Sequence, residues 1–487
     1  MRSTIPRIGV LLAILALILA ACGGTGGASQ EPGQSGAAAS EPAGESEPPT
    51  GEVVEIRWYC CLGAGDDPAQ VEVEQAVVDA FNESHPDIHV TLEVVEYEEA
   101  YDILAVQLNS PNPPDVVGPA GISGAEAFHG QWLDLQPLVD STGYDLSQFA
   151  EGSVDFYRSD EFGLEGLPFA IFPSMLYYQR DMFDEADLEY PPHAYGDPYV
   201  LDGEEVTWDF DTLRELALRL TVDENGNDAT SPDFDPDAIV QWGYEPQYQD
   251  LRAQGSYWGA GSLVADDGTT AQIPEQWQEA WTWFYQGVWT DHFIMNEAQA
   301  QDPTIGATGN PFQSGNVAMA LSHLWYTCCA SATDEDGNFV DDPNWDMAAV
   351  PEFNGTVTSN FNADTFRILE KSQHPEEAFE FLTYLLGDAS DELLQLYGGL
   401  PGRDEAQDAF FAGLDERWTQ GVDWQVAIDG IPFADNPSFE GYMPNYQEAF
   451  TAIQGKLTDL RSTPDLDIEA EIAAFTEELQ GIFDRAE

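Results

Sequence analysis

Val53-Val54-Glu55-Ile56-Arg57-Trp58-Tyr59 opens the stretch that decides the fold. It alternates loosely and is rich in β-branched and aromatic residues, which predicts a strand. Residues 68–82 then place Val71, Ala76, Val77, Ala80 and Phe81 near helical spacing, and His89-Val90-Thr91-Leu92-Glu93-Val94-Val95 reads as a second strand. A helix over residues 101–108 stops at Pro111-Asn112-Pro113-Pro114, and Asp115-Val116-Val117 is a short buried strand. The order β-α-β-α-β predicts an α/β architecture with parallel strands, whose ligands bind at the carboxyl ends of the strands.

Farther along, Leu167-Pro168-Phe169-Ala170-Ile171 and Met175-Leu176-Tyr177-Tyr178 are strand-like. Residues 209–220, 274–289, 375–386 and 468–483 carry helical patterns, the last two strongly amphipathic. Asp266-Asp267-Gly268 and Asp336-Gly337-Asn338 are turn signals. No internal repeat interrupts the pattern.

With 487 residues, 43% of them hydrophobic and 12% aromatic, the chain has material for more than one packed unit. Its net charge is -74, from 89 acids against 15 Lys plus Arg, with Lys371 and Lys456 the only lysines. A field of that sign repels phosphate backbones and anionic lipid, so nucleic acid is excluded as a partner. Acids spread over the whole chain make a solvated surface suited to high salt, where screening shortens the range of self-repulsion.

The N-terminus is an address. Arg2 and Arg7 precede an apolar run from Ile8 to Ala21, the pattern of a secretory signal and too short for a comfortable membrane span. Leu19-Ala20-Ala21-Cys22 resembles a bacterial lipobox, in which the cysteine is lipidated and becomes the first residue. Residues 23–51 hold no large aliphatic or aromatic side chain and read as a flexible tether. The expected organisation is a signal peptide over 1–21 and a lipidated Cys22 with linker over 22–52. The folded body then lies outside the cell membrane, lipid-anchored.

Enzyme signatures are missing: there is no H-E-x-x-H, G-x-S-x-G, Walker loop or G-x-G-x-x-G. So many carboxylates make paired acids uninformative about glycoside hydrolysis. His85 and His89 are separated by Pro86 and share no helical face, so no metal is expected there. Asp223-Glu224-Asn225-Gly226-Asn227-Asp228 and Asp334-Glu335-Asp336-Gly337-Asn338 miss the full calcium-loop spacing and read as surface turns. No cofactor is implied.

The order of segments resembles the extracellular sugar-binding proteins of bacterial ABC importers, the family that includes maltose-binding protein. The residues carrying the resemblance begin with Ala80-Phe81-Asn82-Glu83-Ser84-His85-Pro86-Asp87-Ile88, Pro114-Asp115-Val116-Val117 and Gly166-Leu167-Pro168-Phe169. They continue with Leu176-Tyr177-Tyr178-Gln179-Arg180-Asp181-Met182-Phe183, Phe312-Gln313-Ser314-Gly315-Asn316-Val317-Ala318-Met319-Ala320, Trp325 and His374-Pro375-Glu376-Glu377-Ala378-Phe379. The resemblance implies a two-lobed periplasmic-binding-protein fold of the hinge-bending type. Its lobes would be residues 53–170 plus 352–398 and 171–351 plus 399–487, with the ligand between them. It also implies a sugar or oligosaccharide ligand, delivery to the transmembrane subunits of an ABC permease, a monomer and no reaction.

Sugar rings are bound by flat aromatic faces and their hydroxyls by polar side chains. Trp58 and Tyr59 end the first strand, where an α/β sheet presents its crevice. From the resemblance, Trp325 stacks on the sugar, Trp242, Tyr244 and Trp258 supply contacts from the second lobe, and Phe172 and Tyr326 join them. Asp66 and Asp67, with Glu245 and Asn362, are the polar candidates. The turn Gly118-Pro119-Ala120-Gly121 lacks the aromatic or charged groups of the maltose binder and argues against maltose. Two rival ligand chemistries remain: a polyamine, cation or other small solute in the same fold, and the substrate of a secreted carbohydrate-active enzyme.

Beyond Cys22 the cysteines form two adjacent pairs, Cys60-Cys61 and Cys328-Cys329. An exported protein oxidises its thiols. Three states are compatible with the spacing: a bond within each pair, bridging between the pairs across the lobes, and free thiols. Zinc is disfavoured, because adjacent cysteines lack the intervening residues of such sites.

Overall fold

The computed structural model describes residues 53–485, apart from 64, 66–67, 150–152, 160–161, 248–249, 303–310, 333–338 and 341. The predicted signal peptide, Cys22, the tether, Asp66, Asp67 and the whole of the second acidic turn fall outside the described residues.

Eight strands make the central sheet: β1 (Val54–Cys60), β2 (Ile88–Val94), β3 (Val116–Ala120), β4 (Ala170–Gln179), β5 (Met319–His323), β6 (Trp345–Ala348), β7 (Phe361–Ile368) and β8 (Leu400–Pro401). Their order is β5-β4-β7-β3-β1-β2, with β6 and β8 also paired to β4. β1 is parallel to both β2 and β3. The helices Pro68–Ser84 and Tyr97–Gln107 connect these three strands. The β-α-β-α-β pattern is therefore present with boundaries within a few residues of expectation.

β4 departs from expectation. The two short strands read on either side of residue 173 are one strand, because Pro173 pairs with Phe361 without ending it. Its first half pairs with the start of β7 and with β8, and its second half with β5 and β6. β7 leaves β4 midway and continues against β3.

Side-chain alternation along β1 sends Trp58 to one face and Tyr59 to the other. Trp58 is enclosed by Phe366 and by Phe381 of the helix Pro375–Leu386, at centroid distances of 5.8 and 5.5 Å, and its indole donates to the Gly118 carbonyl at 2.6 Å. Tyr59 packs with Leu104, Val117 and Trp132 in a separate cluster, and its hydroxyl donates to the Ala100 carbonyl at 2.7 Å. A further core gathers the helices Phe210–Leu220, Glu275–Trp289, Tyr446–Ser462 and Ile468–Phe483 against β4 and β5.

The first acidic turn, at Asp223, behaves as a turn. Asp223 accepts from the backbone N–H groups of Asn225, Asn227 and Asp235 at 2.8, 2.9 and 3.0 Å. Burial pushes this carboxyl up, but the Asn227 side chain and these N–H donors hold it down at about 2. Oxygens so occupied by donors point to a self-closed loop. Among the described residues no helix is long and apolar enough to cross a membrane.

Candidate functional site

Beyond the ends of β1 and β3 the chain opens a cavity of about 230 Å³. One wall is built by Leu62 and Gly63, just past β1, and by Gly121, Ser123 and Gly124 at the helix Ile122–Glu126 that follows β3. A Cβ on Gly124 would stand 2.6 Å from the Leu62 carbonyl oxygen, so glycine is required for the helix to lie this close.

Trp325 forms the facing aromatic surface. It follows β5 in the 3₁₀ stretch Leu324–Cys328 and is half-buried. His323 stacks on its indole at 4.0 Å and 16°, and Phe172 meets it edge-on at 5.2 Å. Burial pushes the His323 imidazole down to about 3, so a neutral ring backs the indole at neutral pH. Phe172 also lines the cavity.

The polar groups come from β7 and from the segment before the helix Tyr446–Ser462. Asn362 and Asp364, two residues apart on a strand, share a face and both reach the cavity. Asn362 donates to Glu440 at 2.9 Å, and the same carboxylate oxygen accepts from the Ser123 backbone N–H at 3.1 Å. Glu440 thereby clasps the two walls. The Asp364 side chain makes no hydrogen bond among the described residues; burial, then the Glu440 charge, pushes it up to about 7. Tyr397 completes this side, its hydroxyl donating to the buried Glu74.

The structure thus brings Phe172, Trp325 and Asn362 together at one cavity and leaves the other described candidates elsewhere. Trp58 and Tyr59 are fully buried because strand alternation turns them into the two cores flanking β1, while the chain reaches the cavity only at Leu62 and Gly63. Trp242 lies in the core. Tyr326, one residue past Trp325, turns inward against Tyr177 and Phe312. Tyr244 packs on Trp283. Trp258 stacks on Phe210 at 3.6 Å beside a separate surface depression. Glu245 is a buried structural anion, paired with Arg461 at 2.6 Å and accepting from the Met295 N–H at 3.0 Å. Asp364, Glu440, Tyr397 and Ser123 were not foreseen. Strand periodicity from Asn362 leads to Asp364, whereas Glu440 lies in an irregular segment and carries no sequence signal.

A larger depression of about 580 Å³ lies between the helices Gln136–Thr142 and Pro375–Leu386. Its two rings, Tyr144 and Phe379, meet edge-on at 6.0 Å, and its carboxylates, Glu376, Glu377 and Glu380, belong to a solvated helix face. The smaller cavity is the one where aromatic and buried polar groups converge.

The cysteine pairs also separate by environment. Each sulfur faces that of its sequence neighbour. Cys60 and Cys61 are fully buried beside Glu74, whereas Cys328 is exposed and Cys329 half-buried.

Residues 66–392 match the family described as bacterial extracellular solute-binding protein. The chain belongs to that family. It is 22% identical to a lactose-binding protein of Rhizobium radiobacter over 330 residues, covering 63% of this chain and 66% of that protein. It is also 22% identical to an arabinooligosaccharide-binding protein of Halalkalibacterium halodurans over 346 residues, covering 69% of each. An ABC substrate-binding protein from Listeria monocytogenes, solved in complex with cycloalternan, superposes with a TM-score of 0.62 at 16% identity. That superposition covers 88% of this chain and 99% of the other. The fold is the two-lobed α/β fold of solute-binding proteins.

Proposed function

We propose that this family member captures a sugar or oligosaccharide in the cavity beside Trp325 and delivers it to an ABC permease. The observation that carries the reading is the convergence of a half-buried indole, held by His323 and Phe172, with Asn362, Asp364 and Glu440 across a small cavity. An aromatic face suits the C–H side of a pyranose, and carboxylates and amides suit its hydroxyls. The lactose and arabinooligosaccharide binders among its relatives favour the same ligand class. No chemical step is part of this function, because the family consists of binding proteins.

The two lobes are proposed as residues 53–170 plus 352–398 and 171–351 plus 399–487. The split pairing of β4, with β7 and β8 at one end and β5 and β6 at the other, supports a crossing near Ala170 and another near β8. Closure would move Trp325 and Asp364 of β7 toward one another around the ligand. The lipobox-like Leu19-Ala20-Ala21-Cys22 supports export and anchoring at Cys22. Bonds within each cysteine pair are the proposed redox state. Non-reducing peptide mapping tests this: a Cys60 peptide joined to a Cys328 peptide would refute it.

Titration calorimetry with lactose, arabino-oligosaccharides and other neutral glycans tests the ligand class. Binding of at least one sugar is expected, and a panel without any binder rejects the reading.

A further inference from the structure

The sugar reading leaves the charge of the cavity unexplained. Its described lining carries the carboxyls of Asp364 and Glu440 and no Lys, Arg or His. The nearby Arg252 feels the Glu440 charge, but it is not among the residues lining the cavity and it hydrogen-bonds to Asp250. Its guanidinium grips Asp250 at 2.8 Å and lies over the Tyr446 and Phe450 rings at 5.8 and 5.5 Å. Glu440 already accepts from Ser123 and Asn362. Asp364 accepts from no group among the described residues, and its oxygens lie against two positions without side chains. A Cβ on Gly121 would stand 3.3 Å from one carboxyl oxygen, and one on Gly63 would stand 3.5 Å from the other. Bare backbone on both sides leaves that carboxyl open to the cavity.

Sugar hydroxyls can donate to a carboxylate, but they leave its charge in place. A second acid nearby and partial burial make that charge costly. A phosphorylated or uronic sugar would add a third negative charge. A cation is attracted by both carboxyls, and an ammonium supplies three donors to a carboxylate that has none. We infer that the cavity selects a glycoside bearing a protonated amine, with the ammonium on Asp364, Glu440 behind it and the sugar ring against Trp325. This rests on the sugar-binding reading and names the ligand class within it.

The test is titration calorimetry at pH 7 on the full chain. The probes are disaccharides carrying a primary amine in place of one hydroxyl, taken position by position, with their N-acetylated forms, the neutral parents, a uronate disaccharide and spermidine. At least one amino sugar should bind about tenfold or more tighter than its N-acetylated form, the size of one well-placed charge contact. The uronate should be weakest. Asp364→Asn should abolish the amine preference, bringing the ratio of amino-form to N-acetylated-form affinity to about one, whatever it does to affinity for the neutral parent. The ligand-side comparison needs no variant, so a misfolded Asp364→Asn would not rescue the inference. Neutral parents binding as tightly as every amino form overturns it and leaves the sugar reading intact. Spermidine binding without any sugar, or no binding by any probe, overturns both.

Discussion

Asp364 and Asp435 titrate alike and do opposite work. Burial pushes both carboxyls up to about 7. Asp435 accepts from the Phe361 and Phe439 backbone N–H groups at 2.8 and 2.7 Å and from the Ser256 hydroxyl at 2.9 Å, so it ties β7, the irregular segment around Phe439 and the helix Leu251–Ser256 into one joint. Asp364, at the cavity, has no such donor among the described residues. In both carboxyls burial is the largest influence on titration, while the accounting of donors tells whether each holds the protein or waits for a ligand.

The hardest test of that contrast removes the joint. Asp435→Ala orphans two buried N–H groups and a buried hydroxyl, at about 1–3 kcal/mol for each unsatisfied group. Denaturant unfolding should show a loss of at least about 3 kcal/mol, and a loss below 1 kcal/mol would erase the distinction between the two acids.

Next is the platform opposite Asp364. Trp325→Ala should weaken sugar binding by about 1–3 kcal/mol with little change in the unfolding midpoint. Unchanged affinity would remove Trp325 from the site, and a collapse of stability would make it a core residue.

Smaller still is the effect of replacing Asp364 itself in the unliganded protein. A carboxyl with a raised folded-state pKa favours folding least when ionised. Its contribution is fully present below the unfolded value, near 4, and is lost as pH rises through about 7. The groups facing it are Glu440, which raises it further, and the Tyr157 and Tyr397 phenols, whose own ionisation it opposes. Asp364→Asn should therefore gain on the natural protein as pH rises from 5 to 8, by on the order of 1 kcal/mol given its opening to the cavity. A difference in melting temperature that stays flat with pH would contradict the burial of this group.

Much of the frame was legible because local patterns carried it. β1 and β2 announced themselves by β-rich alternation, β3 as a short buried run after a Pro-rich stop, and the helix Pro375–Leu386 by its apolar stripe. β4 was read as two strand-like stretches, whereas Pro173 between them sits in the continuous pairing with β7. The site was less legible. Trp325 came from the family resemblance, and Asn362 with it, but Trp58 and Tyr59 failed to reach the cavity although they end a strand.

By itself the sequence determined the α/β alternation and the membership that residues 66–392 make plain. These depend on composition and on neighbours a few residues apart, which a linear reading contains. Only the tertiary structure decided which aromatic faces a cavity, and which acid is paired to Arg461, locked by backbone donors or left open. Glu440 meets Ser123 from 317 positions away and Asn362 from 78. Burial and hydrogen-bond partnership at such separations are properties of the packed chain, and they set the chemistry of each carboxyl.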